Sequence, residues 1–151
     1  GSWKLAPVAG ALFVDGWSSS LGDVSTRYCL FDDLFTFYGN GAFTNQMNSL
    51  TWVEQWQGVS DGCGTPIYPH DGRGRSSFTF DESAMTITLN GKGAHLGIPK
   101  AVNGAEYGAG MSLAQAPESI VYDVIESTAT TMSIKINIQG GQYWIFKLIK
   151  N

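Results

Sequence analysis

Two tryptophans flank a glutamate in the run Thr51-Trp52-Val53-Glu54-Gln55-Trp56-Gln57-Gly58. Successive side chains of a β-strand point to opposite faces, so as a strand this run puts Trp52, Glu54 and Trp56 on one face. At about 3.3 Å per residue the two indoles stand roughly 13 Å apart, with a carboxylate between them. An indole offers a flat apolar surface to the C–H side of a pyranose, while Glu and Gln groups exchange hydrogen bonds with its hydroxyls. The run therefore reads as a sugar platform, with Gln57 as a further polar contact. An all-β domain also needs large aromatics inside, so core and contact both stay open for each Trp.

Other candidates sit in segments with no regular period. Asp15 to Asp23 is a loop of Gly, Ser and Asp around Trp17, an indole with less reason to be core than one on a strand. Gln57 to Arg75, broken by glycines and prolines, carries His70 and Asp71, and Gly91 to Pro117 carries His95, Lys100, Asn103, Glu106 and Tyr107. Long loops of this kind are usually either functional or disordered. Trp17, Trp52 and Trp56 are the candidates to stack on sugar rings, with Glu54, Gln57, His70, Asp71, Lys100 and Asn103 bonding the hydroxyls.

Rival chemistries find less support. The glycine-rich run Gly91-Lys92-Gly93 lacks the spacing of a phosphate loop, and no helix follows it. No G-x-S-x-G elbow accompanies His70 or His95. Glu54 with Asp32 or Asp33 is the carboxylate pair a glycosidase would need. Calcium would have to use Asp15 and Asp32-Asp33 with backbone carbonyls, outside any D-x-D-x-D-G loop. Cys29 and Cys63 have only His70 as a neighbour for zinc. As a disulfide they would close a loop of about 34 residues, and two buried thiols are the alternative.

The elements that must position these groups are strands. Trp3-Lys4-Leu5, Ala11 to Val14, Phe43-Thr44, Ser77 to Asp81, Met85 to Leu89, Ser119 to Glu126, Thr131 to Ile138 and Tyr143 to Ile149 alternate or run apolar. Phe35 and Phe37 share an inward face, as do Trp144, Phe146 and Leu148. Asn40-Gly41 signals a type I′ hairpin and Gly140-Gly141 another turn. About eight strands joined mostly by short turns, with no helical period, imply an all-β domain, an up-and-down barrel of lipocalin-like form. A two-sheet sandwich or jelly roll uses the same alternation and is the alternative. In either form the two long loops can gather at one end and frame an open site.

Composition bounds the rest. The chain has 151 residues, 43% hydrophobic and 15% charged, which suits one ordered domain. A net charge of -4, with no run of Lys or Arg, argues against a nucleic-acid partner. No stretch of about 18 apolar residues offers a membrane helix. Gly1-Ser2 reads as a cloning scar.

Several blocks together carry a resemblance: Trp3-Lys4-Leu5-Ala6-Pro7, Cys29-Leu30-Phe31-Asp32-Asp33, the Trp52–Trp56 run, Pro69-His70-Asp71-Gly72, Gly97-Ile98-Pro99-Lys100-Ala101, Ala116-Pro117-Glu118-Ser119-Ile120 and Phe146-Lys147-Leu148. Across essentially its whole length the chain resembles a module of marine Bacteroidetes polysaccharide-utilisation proteins, found beside PKD-type repeats or family 16 glycoside hydrolases such as laminarinases. The resemblance implies an accessory carbohydrate-binding domain, secreted or held at the cell surface and joined to further domains. Its neighbours make a β-1,3-glucan such as laminarin the first ligand to expect. The E-x-D-x-x-E run of the family 16 enzymes is missing here, which favours a non-catalytic role. A structural or adhesion spacer, with every Trp in the core, is the alternative class.

Overall fold

Turn residues and period-two runs together make a meander. The computed structural model describes all residues from Gly1 to Asn151. Its principal strands are β1 Ser2–Leu5, β4 Leu34–Phe37, β5 Ala42–Gln46, β8 Ser76–Asp81, β9 Thr86–Asn90, β12 Ser119–Ser127, β13 Thr131–Asn137 and β14 Tyr143–Lys150. They pair antiparallel in that order, and β1 also pairs with β14, so the eight-stranded sheet closes on itself as an up-and-down barrel. Closure removes both free edges, and the sandwich alternative falls with them.

The first strand of the barrel is interrupted. Ala6 N donates to Lys147 O at 2.9 Å and Lys147 N donates to Ala11 O at 2.9 Å, so Pro7 to Gly10 bulge out around a single residue of β14. Pairing resumes in β2 Leu12–Val14, which turns back into the short β3 Trp17–Ser18.

Connection lengths sort the barrel into two unlike ends. At one end the links from β4 to β5, β8 to β9 and β12 to β13 are short turns. At the other lie the three long insertions, between β3 and β4, β5 and β8, and β9 and β12. The first insertion holds two helices that the sequence reading missed, α1 Leu21–Thr26 and α2 Tyr28–Phe31. The helix start is encoded as a capping box: Ser20 N donates to Asp23 Oδ2 at 2.7 Å and Asp23 N to Ser20 Oγ at 3.2 Å. Six residues are too few for the apolar period of a helix to stand out, which is why the stretch reads as loop.

The Asn40-Gly41 hairpin forms, with a different turn. Gly41 takes φ 84° while Asn40 does not enter the left-handed region, so Gly39 to Gly41 make a three-residue loop rather than a type I′ pair. Gly140 and Gly141 both have positive φ, at 66° and 76°, between β13 and β14.

Inward side chains follow the alternation. Phe35, Phe43, Leu89, Tyr122, Ile134, Phe146 and Leu148 are buried. The loop end of the lumen is filled by main chain: Ala94 to Pro99, from the third insertion, are all buried. A buried loop must satisfy its backbone polar groups, and side chains of the wall do so. Asn45 Nδ2 donates to His95 O at 2.8 Å, His95 N donates to Asn45 Oδ1 at 3.3 Å, and Leu96 N donates to Tyr122 Oη at 3.0 Å. Gly97, at φ 69°, lies so close to the Phe146 ring that a Cβ would sit 2.5 Å from it.

Candidate functional site

The strand expected over Thr51 to Gly58 stops early. β6 Thr51–Val53 pairs with β7 Gly62–Gly64, and Gln55–Gln57 then form a 3-10 turn. Glu54 N donates to Gln57 Oε1 at 3.0 Å, so Gln57 is a capping group of that turn rather than a sugar contact. The break folds the two indoles together in place of the 13 Å platform. Trp52 Nε1 donates to Glu54 Oε1 at 3.2 Å and Trp56 Nε1 to Glu54 Oε2 at 2.6 Å. One carboxylate thereby clamps two tryptophans.

A second clamp comes from across the mouth. Trp144 Nε1 donates to Glu106 Oε2 at 2.6 Å, and Lys100 Nζ stands 3.9 Å from Glu106 Oε1. Glu106 belongs to β11 Ala105–Glu106, which pairs with β10 Ala101–Val102 just after Lys100. This small hairpin presents the lysine and the glutamate together.

Glu54, Lys100 and Glu106 are shared by two adjoining clefts. One, of about 340 Å³, is walled by Trp17, Trp144, Arg27 and Gln142. The other, of about 300 Å³, is walled by Trp56, Asp61 and Tyr107. Arg27 lies 4.6 Å from the Trp52 ring and 5.3 Å from the Trp17 ring, a cation held between two indoles. Trp56 stacks on Tyr107 at 4.6 Å with an interplanar angle of 6°. Trp17 meets Trp144 edge-on at 6.3 Å. The disulfide Cys29–Cys63 forms and ties α2 to β7, holding the β6–β7 hairpin beside the helices.

Of the residues singled out in the sequence, Trp17, Glu54, Trp56 and Lys100 come together in these clefts. Trp52 stands behind them, bonded to Glu54 and covered by Arg27. The others lie elsewhere. His70 is buried, edge-on to Trp56 and Tyr107, and its Nδ1 makes no hydrogen bond. Burial first, and then the nearby His95, push its pKa down to about 3, so it packs as a neutral ring. Asp71 faces a separate depression with Arg73, 3.8 Å from its guanidinium. Asn103 bonds the backbone of Val121 twice, at 2.8 Å each, and ties the β10–β11 turn to β12.

The carboxylates considered for calcium serve the frame. Asp33 accepts from Thr51 Oγ1 at 2.6 Å and is buried, while the exposed Asp32 accepts from Asn48 Nδ2 at 3.0 Å. Asp15 is in the β2–β3 turn. No group of three or more His, Cys, Asp or Glu is arranged to hold a metal.

Arg27 and Trp144 belong to the clefts without having been read as contacts, and Glu106 and Tyr107, named in the Gly91 to Pro117 segment with no role assigned, line them too. Trp144 reads as core by alternation on β14 and is buried there, while it also lines one cleft and its indole N–H bonds Glu106. Arg27 carries no local signal: its place depends on the capping box that forms α1 and on the two indoles that receive it. No protein-family model matches the chain, and no curated protein or solved structure does either.

Proposed function

We propose that this chain is a non-catalytic carbohydrate-binding module that takes a polysaccharide across the loop end of the barrel. The observation that carries the reading is the pair of clefts meeting at Glu54, Lys100 and Glu106, walled by the indoles of Trp17, Trp56 and Trp144. Carbohydrate recognition needs that combination, apolar rings for C–H faces beside fixed donors and acceptors for hydroxyls. A Trp buried by a sugar contributes about 1–3 kcal/mol, so one to three such contacts correspond to micromolar to millimolar affinity. Tethering in a longer protein raises the effective concentration of so weak a site. A β-1,3-glucan of the laminarin type is the first ligand, on the strength of the resemblance. The disulfide supports a secreted or surface-held protein, since such bonds persist in oxidising compartments.

A second reading rests on one observation, that Glu54 and Glu106 face the same clefts, as the two carboxylates of a glycoside hydrolase would. Against it, both oxygens of Glu54 are occupied by indole donors, and Glu106 is held by Trp144 beside Lys100. These groups act as struts of the aromatic wall.

Affinity electrophoresis against laminarin, mixed-linkage glucan, xylan, mannan, alginate and agarose tests both readings when combined with an assay for released reducing ends. The expected result is retardation by one polysaccharide, lost in Trp17→Ala and Lys100→Ala with unchanged circular dichroism, and no release of reducing ends. Retardation by none of them would sink the binding reading, and steady release would move the chain to the hydrolases.

A further inference from the structure

The end of the barrel opposite the clefts is not plugged. There an apolar pocket of about 270 Å³ opens between six strands and the β8–β9 turn, lined by eight hydrophobic side chains and Ser127. Trp3 and Phe37 form one side, Phe78 and Phe80 another, and Val124 and Met132 lie on the strands across from them. Register shows that this is lumen and not outer surface. Phe80 stands directly opposite Ile87 on the same face of the sheet, yet Phe80 is 50% exposed while Ile87 is 6% exposed. Phe80, one residue from the end of β8, stays half wet because nothing covers the apolar mouth of the barrel there. An eight-stranded barrel is just wide enough for side chains to fill it, so an open apolar lumen is a departure from the default.

The turn beside it carries a second departure. Met85 adopts φ 52° and is the one non-glycine residue of the chain with positive φ. Glycine would hold that conformation with less strain but would take away the side chain that walls the pocket.

Size and charge decide what fits. An apolar cavity of about 150 Å³ binds benzene, so this pocket has room for a two-ring aromatic or a medium alkyl chain. Nine lining residues fall well short of the roughly 20–30 residues a side of a stable protein interface. A flat partner would also have to bury Asp81, Glu82 and Glu126, which are exposed around this end and outnumber its cations, Lys150 and the Gly1 ammonium. The same carboxylates disfavour a fatty-acid anion. We infer that this end of the barrel binds a small, uncharged, mainly hydrocarbon molecule, independently of the glycan clefts.

The experiment uses the neutral probe N-phenyl-1-naphthylamine, read by its emission and by energy transfer from tryptophan, since Trp3 lines the pocket. One probe per chain is expected to bind saturably, at least tenfold more weakly in Phe80→Glu, with polysaccharide retardation unchanged in that variant. As a readout that does not depend on the folding of the variant, methyl resonances of the unaltered chain are followed during titration with 1-decanol. Shifts confined to Met85, Ile87, Val124 and Met132 support the inference. Non-saturable binding, shifts centred on Val14 and Ile138 at the loop end, or equal affinity in a folded Phe80→Glu would overturn it. Probe displacement on concentrating the protein alone would also overturn it, by making a second copy the occupant.

Discussion

Glu54 accepts one indole N–H at each carboxylate oxygen, and an indole N–H can only donate. Replacing it by Gln keeps the shape and one acceptor but turns an NH₂ toward a donor. A buried donor left without a partner costs about 1–3 kcal/mol. Glu54→Gln is therefore expected to lower the unfolding free energy by up to that much, since both bonds are only half-buried, read as a lower urea midpoint at unchanged slope, and to red-shift tryptophan emission as Trp52 or Trp56 is released. An unchanged midpoint and spectrum would show that the clamp carries no stability. Glu54 was legible in the sequence as the polar group between two tryptophans; its role was not. A strand keeps Trp52 and Trp56 apart, and the capping of the 3-10 turn by Gln57, which converges them, is a local competition that alternation cannot express.

At the scale of elements, two devices place the site. The segment Ala94 to Pro99 enters the lumen as a plug, and it fits only because Gly97 has no side chain against Phe146. Gly97→Ala meets both the left-handed φ penalty and overpacking, for a loss of about 2–5 kcal/mol. Chemical denaturation would show it, and a change below about 0.5 kcal/mol, the range of ordinary surface substitutions, would mean the plug shifts freely. The other device is the Cys29–Cys63 bond, which closes a 34-residue separation. In the chain-entropy model removing it costs about 4 kcal/mol. Reduction, or the paired change of both cysteines to serine, is expected to lower the melting temperature and abolish polysaccharide retardation together, since the bond holds the hairpin that leads into Glu54 and Trp56. Retardation that survives reduction would separate the bond from the site.

For the whole molecule, three buried groups set how stability depends on pH. Burial, aided by the charge of Asp32 and opposed by the Thr51 bond, pushes Asp33 up to about 8. Between pH of about 4 and 8 the unfolded chain has lost a proton that the folded chain keeps, so stability falls as pH rises. Burial pushes His70 down to about 3, helped by His95, and His95 down to about 4 against the Gly93 carbonyl. Below pH of about 6.5 the unfolded chain takes up two protons that the folded chain refuses, so stability falls as pH drops. Two protons outweigh one on the acid side, and between pH of about 6.5 and 8 only Asp33 acts, the buried Tyr107 and Tyr122 entering only near pH of about 10. Maximum stability is therefore expected near pH 6.5, and Asp33→Asn should flatten the decline between 6.5 and 8. Melting temperatures from pH 4 to 8 would check it, and a decline unchanged in that variant would contradict the assignment.

Residue types and their order determined by themselves that the chain is a β meander with its reversals at Gly41 and Gly140-Gly141, because alternation and turn chemistry are properties of neighbouring residues. They also brought Trp17, Glu54, Trp56 and Lys100 to notice by chemistry alone. Only the tertiary structure decided that β1 closes on β14, since closure sums the register of every strand pair around the sheet. It alone sent Ala94 to Pro99 into the lumen, left the opposite end open, and gathered Arg27, Glu54, Lys100, Glu106 and Trp144 from three insertions and a strand end. Those meetings join residues dozens of positions apart, and their energies lie in contacts that exist only once the barrel is closed.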